Sequence, residues 1–287
     1  MTGFSVLVAW LICHVFRKYK FVIILICIGI IVSLGTATYF RNQVWQDRVN
    51  LWNDVVKKSP HNASAYMNLG NALASEGRLN DAMAYYKKVV SAHPNNKKIN
   101  YNIALLMEKD GDIEKSIYFY KNALAIDPDY VQAHVGLARM LRKRGDKDAA
   151  IKHYTRALNI NPYLGDSYYV DLGNLYLERG DRIYALDYYK KALKINNDNA
   201  EAHSNIGVIF SLKGDYKKAV EHLKTALRLD ALNPSILNNL GGVNEMKGDF
   251  AQAAIHYREA LRIAPGFTKA RHNLSRVLKK QKGQDDN

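Results

Sequence analysis

Cysteine and acidic residues are both missing from long parts of this 287-residue chain. The two cysteines, Cys13 and Cys27, lie in the first 40 residues, which excludes a disulfide scaffold and a cysteine-based zinc site from the rest of the chain. All 27 Asp and Glu residues follow residue 40, whereas the first 40 residues carry only three charges, all basic. The chain therefore divides into an apolar leader (residues 1–40) and a charged body.

Residues 21–40 of the leader form an uncharged run, FVIILICIGIIVSLGTATYF, of which 12 residues are Ile, Val, Leu or Phe. As a helix this run extends about 30 Å, the thickness of the hydrocarbon core of a membrane. A cleaved signal peptide is the alternative, but its apolar core normally has about 7–15 residues. The length favours an uncleaved transmembrane helix over residues 21–40.

Residues 1–16 are also uncharged and extend about 24 Å as a helix, which fits a second short span, a re-entrant piece or part of a longer helix. The basic cluster Arg17-Lys18-Tyr19-Lys20 lies between the two apolar segments. The positive-inside rule places this cluster in the cytoplasm and the body on the other side, in a periplasm or lumen. Basic residues after the run weaken that orientation. We expect a membrane protein with one or two spans.

The body repeats with a period of 34 or 35 residues. Glycine recurs at the end of each repeat's first half, followed five residues later by a small residue and then by a bulky one. The glycines are Gly77, Gly111, Gly145, Gly180, Gly214 and Gly248; the small residues are Ala82, Ser116, Ala150, Ala185, Ala219 and Ala253; the bulky residues are Tyr86, Tyr120, Tyr154, Tyr189, Leu223 and Tyr257. We predict that each glycine ends a helix at a tight turn and that each small residue lets two helices approach closely.

This pattern resembles the tetratricopeptide repeat (TPR), a 34-residue unit of two antiparallel helices. The resemblance predicts an all-α fold, a TPR α-solenoid behind an N-terminal transmembrane helix. The six predicted units are residues 63–96, 97–130, 131–164, 166–199, 200–233 and 234–267. Residues 41–62 are predicted as a linker helix and half repeat, residues 268–281 as a capping helix, and residues 282–287 as a disordered tail.

In TPR proteins the first helices of successive units line a concave groove that binds polypeptide. Asparagine occupies one position of this face in five of seven equivalent places, a pattern that resembles the asparagine ladder of O-linked N-acetylglucosamine transferases. Gly136 and Asp171 interrupt it. An amide can pair with any peptide backbone, although duplicated repeats can also inherit asparagine without a ligand. The predicted peptide-groove residues are Asn68, Asn71, Asn102, Asn174, Asn205, Asn239 and Asn273.

A basic patch in the third repeat is formed by Arg139, Arg142, Lys143 and Arg144. With a net charge of +14 it could attract an acidic partner or an anionic lipid surface. The alternative is a solvated helix end, where cations complement the helix dipole, and this alternative is favoured. No base-stacking or groove-reading motif accompanies the charge, which disfavours a nucleic acid partner.

Motifs of common enzymes are absent. The sequence has no phosphate-binding loop, dinucleotide-binding glycine pattern, HExxH or GxSxG motif. His153, His222 and His256 share one repeat position, but packed helices lie about 8–10 Å apart, so this row cannot share a metal ion. We predict no catalysis, cofactor or metal, and interpret these histidines as replacements for the aromatic residues of other repeats.

The junction after the leader carries the arrangement R-N-x-x-W-x-D, L-W-x-D and S-P between Arg41 and Pro60. It is similar to the segment that joins the last membrane helix to the TPR region in multi-pass mannosyltransferase-like membrane proteins. The resemblance implies that the TPRs face the lumen or periplasm, and that the short first segment corresponds to part of a penultimate helix. No catalytic residue of that family can be carried over to this sequence.

Two functions follow from the sequence. The first is a membrane-anchored scaffold that binds a protein or an extended peptide in its groove, with a polytopic membrane protein among the candidate partners. The alternative is the substrate-recruiting C-terminal part of a membrane glycosyltransferase. Docking of the basic patch to an anionic surface is a third, weaker hypothesis.

Overall fold

The computed structural model describes the backbone of residues 2–285 and the side chains of residues 47–282. Within the first helix it also describes the side chains of residues 8, 10, 19, 21, 22, 24–40, 42 and 45. Residues 2–285 form fifteen α-helices and no β-strand. The helices are α1 Thr2–Gln46, α2 Arg48–Lys58, α3 Ala63–Ser75, α4 Leu79–Ala92, α5 Lys97–Asp110, α6 Ile113–Ile126, α7 Val131–Arg144, α8 Lys147–Ile160, α9 Asp166–Arg179, α10 Arg182–Ile195, α11 Ala200–Leu212, α12 Tyr216–Leu229, α13 Pro234–Met246, α14 Phe250–Ile263 and α15 Thr268–Asp285.

Residues 2–46 form one continuous helix of 45 residues, about 68 Å long. Residues 2–16, which belong to the segment predicted as a possible second short span, lie in this same helix, with no turn before residue 21. Residues 17–20 contain neither glycine nor proline to break the helix. The side chains of Arg17, Lys18 and Lys20 lie outside the described residues. Judged on the residues that the structure describes, no helix combines the length and the apolar composition that crossing a membrane requires.

A break at Asp47 separates α1 from α2 and divides residues 41–62, which were predicted as a linker helix and half repeat. The Asp47 side chain accepts a hydrogen bond from the backbone N–H of Val49 at 2.8 Å and from that of Asn50 at 3.4 Å. This is N-capping, in which a carboxylate satisfies backbone donors that have no partner inside the helix. The repeat pattern does not predict this cap, because Asp47 lies before the half repeat.

The chain divides into two compact units, residues 1–102 and residues 103–287. In the first unit α2 packs on α3, and α3 pairs with α4. In the second unit α7 pairs with α8, α9 with α10, α11 with α12, and α13 with α14, while each pair also contacts the next. The second unit is therefore an array of helix pairs whose length is the predicted period, and the first unit contains one such pair.

The turns between paired helices follow from a glycine–aspartate step. The six repeat glycines all have positive φ, for example 92° at Gly145, where any other residue is disfavoured. The prediction that these glycines end the first helices is confirmed. The following aspartate caps the second helix in several repeats: the Asp146 side chain accepts from the N–H of Ala149 at 3.2 Å, and Asp249 accepts from Gln252 at 3.1 Å.

The core of each helix pair consists of the predicted small and bulky residues. All six small positions are completely buried, as are Tyr120, Tyr189 and Tyr257. The two helices of a pair approach so closely at Gly173 that an added Cβ atom would lie 2.6 Å from the Tyr189 ring. Such a contact is far below van der Waals distance, so the ring occupies space that only glycine leaves open.

The C-terminal helix is longer than predicted. It packs on α14 and continues to Asp285, so residues 282–285, predicted as part of a disordered tail, are helical. The predicted cap ended where the apolar pattern ended. Beyond it Lys282 and Gln284 favour a helix, whereas Gly283 and Asp285 do not, so intrinsic propensity does not explain the extension. Residues 286 and 287 lie outside the described residues.

Candidate functional site

The predicted groove asparagines lie on the first helices of the repeats and on α15. In each unit we call the surface formed by its first helices, and by α15 in the second unit, the first-helix face. Asn68 and Asn71 lie on α3, Asn102 on α5, Asn174 on α9, Asn205 on α11, Asn239 on α13 and Asn273 on α15. Most of them are half-buried, and Asn71 is exposed.

Four of the five ladder asparagines (Asn68, Asn102, Asn205, Asn239 and Asn273) donate hydrogen bonds to the preceding repeat, Asn68 being the exception. In the second unit Asn205 Nδ2 donates to Asn174 Oδ1 at 2.9 Å, Asn239 Nδ2 to Ser204 Oγ at 3.3 Å, and Asn273 Nδ2 to Asn238 Oδ1 at 2.9 Å. In the first unit Asn102 Nδ2 donates to Asn71 Oδ1 at 3.0 Å. These amides tie neighbouring first helices together, a role that sequence reasoning did not assign to them.

The side-chain oxygens of the same asparagines remain available. Within residues 47–282, no protein donor reaches the Oδ1 atom of Asn102, Asn205, Asn239 or Asn273. An amide oxygen has two lone pairs and accepts from any N–H group. The ladder therefore presents hydrogen-bond acceptors on the first-helix face, while its N–H groups hold the array.

The repeat tyrosines extend this pattern from the core. Tyr189 Oη donates to Asn174 Oδ1 at 2.7 Å, and Tyr86 Oη donates to Asn71 Oδ1 at 2.6 Å. Asn174 thus joins a tyrosine of its own repeat to Asn205 of the next. We call such an arrangement, in which one polar side chain bonds both a repeat tyrosine and the next repeat, a tyrosine tie.

Charged side chains replace asparagine in three of these ties. Glu108 accepts a hydrogen bond from Tyr120 Oη at 3.2 Å and two from Arg139, from Nε at 2.8 Å and from Nη2 at 2.6 Å. Glu245 accepts from Tyr257 Oη at 3.1 Å and from Arg276 Nε at 2.8 Å. In the third, Asp171 of the fourth repeat accepts hydrogen bonds from Tyr154 and Arg142, which both belong to the third repeat.

The basic patch is ion-paired with neighbouring repeats. Arg142 Nη2 lies 2.6 Å from Glu178 Oε1, and Lys143 Nζ lies 3.7 Å from Glu108 Oε1. Arg144 pairs with Glu114 and Asp146. The hydrogen bond to Glu108 raises the pKa of Arg139. These cations therefore bridge repeats, whereas the sequence analysis favoured a solvated helix end.

The two gaps in the ladder have physical causes. An added Cβ atom at Gly136 would lie 2.3 Å from Cζ of Tyr120, so the tyrosine ring fills the place of a side chain. At Asp171, burial raises the pKa of the carboxyl group, although Arg142 beside it acts in the opposite direction. Both gaps belong to the tyrosine ties of the middle repeats.

Two histidine pairs occupy equivalent positions in the third and fifth repeats. His134 Nδ1 lies 2.9 Å from His153 Nδ1, and His203 Nδ1 lies 3.0 Å from His222 Nδ1. His134 Nε2 lies 2.9 Å from the Pro128 carbonyl oxygen, which can only accept, so Nε2 carries the proton and Nδ1 accepts from His153.

Burial dominates the titration of the second-helix histidines. It lowers the pKa of His153 to about 4, and it lowers the pKa values of His222 and His256 as well. The interpretation of these residues as packed replacements for aromatic rings did not anticipate the pairing. Among the described residues, no group of three or more His, Cys, Asp or Glu side chains could hold a metal ion.

Three tetratricopeptide repeat models match the chain. One matches residues 97–162 and 198–266, a second, described as TPR repeat, matches residues 173–214, and a third matches residues 63–96. The chain belongs to the tetratricopeptide repeat family. A comparison with curated proteins gives no match.

Solved TPR structures share the fold. YrrB, described as a TPR protein with an unusual peptide-binding site, is 20% identical with a TM-score of 0.56 over 65% of this chain and 96% of that chain. MamA is 27% identical with a TM-score of 0.55 over 58% and 96%. PilF from Pseudomonas aeruginosa is 17% identical with a TM-score of 0.63 over 75% and 97%.

Family membership indicates the general class of function. The protein is an all-α TPR solenoid, a fold that supports a protein–protein interaction scaffold. TPR proteins bind proteins or peptides and are generally non-enzymatic. The repeats bury their apolar faces against each other, as stacked repeats in such arrays do.

Proposed function

We propose that this TPR protein binds an extended polypeptide segment along its first-helix face. The observation that carries the proposal is the set of ladder amide oxygens that have no donor within the described residues. The backbone N–H groups of an extended peptide are matching donors. Because such contacts do not involve the side chains of the peptide, they suit a scaffold that accepts varied sequences.

We also infer that the leader attaches the protein to a membrane. The support is the uncharged run of residues 21–40 and the exposure of its large apolar side chains, 74% at Phe21 and 67% at Ile31. In water, such a surface is unfavourable at about 25 cal/mol per Å². Placement of the repeats on the non-cytoplasmic side rests on the basic cluster at residues 17–20.

The glycosyltransferase alternative stays a prediction from the junction residues, with no structural observation in its favour. The same holds for a polytopic membrane partner. Membrane attachment is tested by alkaline carbonate extraction of membranes from cells that express the full chain. Retention in the membrane pellet supports attachment, and full release of the protein contradicts it.

The polypeptide-binding proposal is tested with a pool of random capped dodecapeptides that carry a photoreactive benzophenone. The full chain in detergent micelles is cross-linked, and the labelled residues are mapped by mass spectrometry. We expect labels to concentrate on the first helices and on α15. Labels that concentrate on the second helices, or an absence of saturable labelling, would contradict the proposal.

A variant with Asn68, Asn102, Asn205 and Asn239 changed to Ala sharpens the test. Three of these residues also hold neighbouring repeats, so each loss costs about 0.5–1.5 kcal/mol of stability. A thermal melt must therefore show that the variant is folded at the temperature of the assay. Reduced labelling by a folded variant supports a role in binding, and unchanged labelling shows that the ladder only holds the array.

A further inference from the structure

One part of the first-helix face departs from the tyrosine ties. In the fifth repeat Leu223 takes the tyrosine position, and the outward positions of α11 carry Val208 and Leu212 in place of polar residues. Leu223 is completely buried and packs at Gly207, where an added Cβ atom would lie 2.7 Å from its Cγ. The polar tie is thus lost at this repeat, and apolar side chains face outward.

A pocket of about 380 Å³ lies at this place, between α11, α13 and α15. Val208, Leu212, Val243 and Met246 contribute apolar side chains to its lining, and Asn239 and Asn273 of the ladder line it as well. Leu212 is 44% exposed and Met246 is 53% exposed. Because methionine is flexible and polarizable, such a lining adapts to aliphatic side chains of different shape.

The charge around the pocket is positive. Lys269, Arg276 and Lys280 line it, against the single carboxylate of Glu245. Glu245 is already satisfied: its side chain is 8% exposed, Arg276 and Lys280 lie 2.7 and 3.1 Å from its oxygens, and these bonds, led by that of Arg276, lower its pKa to about 2. Lys269 has no carboxylate within 4 Å among the described residues.

We propose that this pocket is the specificity site of the protein, and that it takes an aliphatic side chain of a bound polypeptide with a neighbouring Asp or Glu side chain on Lys269. This deepens the proposed function and rests on it. The apolar lining supplies the contact for the aliphatic group, and the unpaired Lys269 ammonium supplies the charge complement. The adjacent oxygens of Asn239 and Asn273 accept from the backbone N–H groups of the same segment.

The test uses the full chain in detergent micelles and a fluorescein-labelled, capped nonapeptide with one leucine followed by two glutamates in a glycine–serine background. Fluorescence anisotropy should show saturable binding that weakens as salt is raised. Peptides with glycine for the leucine, or with glutamines for the glutamates, should each bind at least about fivefold more weakly, or about 1 kcal/mol.

The protein variants are Lys269→Glu and Leu212→Asp, each expected to weaken binding about tenfold. Lys213→Glu is the matched control, because Lys213 is exposed, adjoins Leu212 and does not line the pocket. It makes the same change of charge as Lys269→Glu and should leave the affinity within about twofold. Thermal melts of all variants identify any loss caused by unfolding.

Equal binding by Lys269→Glu and Lys213→Glu would overturn the proposal, as would the absence of binding to the wild-type protein below about 1 mM. The outcomes also separate this proposal from the broader one. If random peptides label the first-helix face but the leucine–glutamate peptide ignores the pocket variants, the groove function stands and the specificity site is wrong. If no peptide labels the first-helix face, both are wrong.

Discussion

The middle and the end of the second unit are built from the same kind of helix pair but present different surfaces. In the third and fourth repeats, ion pairs fill the first-helix face, with Arg139 on Glu108 and Arg142 on Asp171 and Glu178. In the fifth and sixth repeats, amides and apolar side chains line a pocket together with Glu245 and three cations. The helix-pair backbone is common to both regions, so the side chains at the outward positions distinguish the two surfaces.

The comparison shows how holding the array and binding a ligand compete for the same side chains. A polar group that joins a tyrosine to the next repeat cannot also bond a peptide with the same atoms. The ladder asparagines serve both purposes, because their N–H groups hold the neighbour while their oxygens stay open. The carboxylates of the charged ties instead accept hydrogen bonds from a tyrosine and from an arginine.

The largest expected effect concerns the tyrosine ties themselves. Changing Tyr189 to Ala removes a completely buried ring and should cost about 3–5 kcal/mol, whereas Tyr189→Phe removes only the hydrogen bond to Asn174 and should cost about 1 kcal/mol. Urea unfolding followed by circular dichroism measures both. Similar losses for the two variants would mean that the hydroxyl group, and not ring packing, dominates.

A matched pair of glycines compares the two regions directly. Gly136→Ala forces the buried Tyr120 ring to move and should cost about 1–3 kcal/mol. At Gly242, beside the pocket, an added Cβ atom meets only Tyr257 Oη at 3.8 Å, so Gly242→Ala should stabilise the helix by up to about 1 kcal/mol. Thermal melts give the sign of each change, and equal effects would show that the pocket region is packed as tightly as the middle.

The tie can also be transplanted into the repeat that lacks it. Leu223→Tyr alone should cost about 1–3 kcal/mol, because its hydroxyl group meets Val208 and finds no partner. Adding Val208→Asn recreates the arrangement of Tyr189 and Asn174 and should recover about 1 kcal/mol or more. A double-mutant cycle measures the coupling. Absence of coupling would show that the ties are not transferable units.

Acidification should lower the stability of the protein first through His153 and then through Glu245, with no effect at neutral pH. The pKa of His153 is about 4 in the folded protein against 6.5 normally, so the unfolded state binds more protons and stability falls as pH drops from about 6.5 to about 4. The pKa of Glu245 is lowered from 4.5 to about 2, so the stabilising effect of this carboxylate is lost only as pH falls from about 4.5 to about 2.

The histidine contribution is tested with His153→Phe, which copies Phe119 at the equivalent position. Melts of this variant between pH 7 and pH 4 should show a shallower loss of stability than the wild-type protein (a pH range set by the shift of His153). An unchanged slope would assign the acid sensitivity to other groups.

The sequence predicted the fold well because the repeat period, the turn glycines and the small residues each impose a local constraint that recurs six times. It predicted the placement of the asparagines on the first helices for the same reason. It could not predict that Gly136 faces the ring of Tyr120, or that His134 meets His153, because these contacts depend on side-chain rotamers, which the repeat pattern does not specify.

The ends of the array were predicted less well than its middle. The Asp47 cap, the continuity of α1 and the extension of α15 all involve segments that occur once. A single segment offers no second copy against which a pattern can be checked, and helix boundaries then depend on individual caps and propensities. The outward positions of α11, by contrast, can be compared with those of the other repeats, and only that comparison shows that they are apolar.

The most direct test is to map where the leucine–glutamate peptide binds, with a benzophenone beside its leucine and the full chain in micelles. We expect cross-links on α11, α13 and α15, competed by excess unlabelled peptide. Cross-links on α7 and α9, where ion pairs fill the first-helix face, or on the second helices, would contradict it.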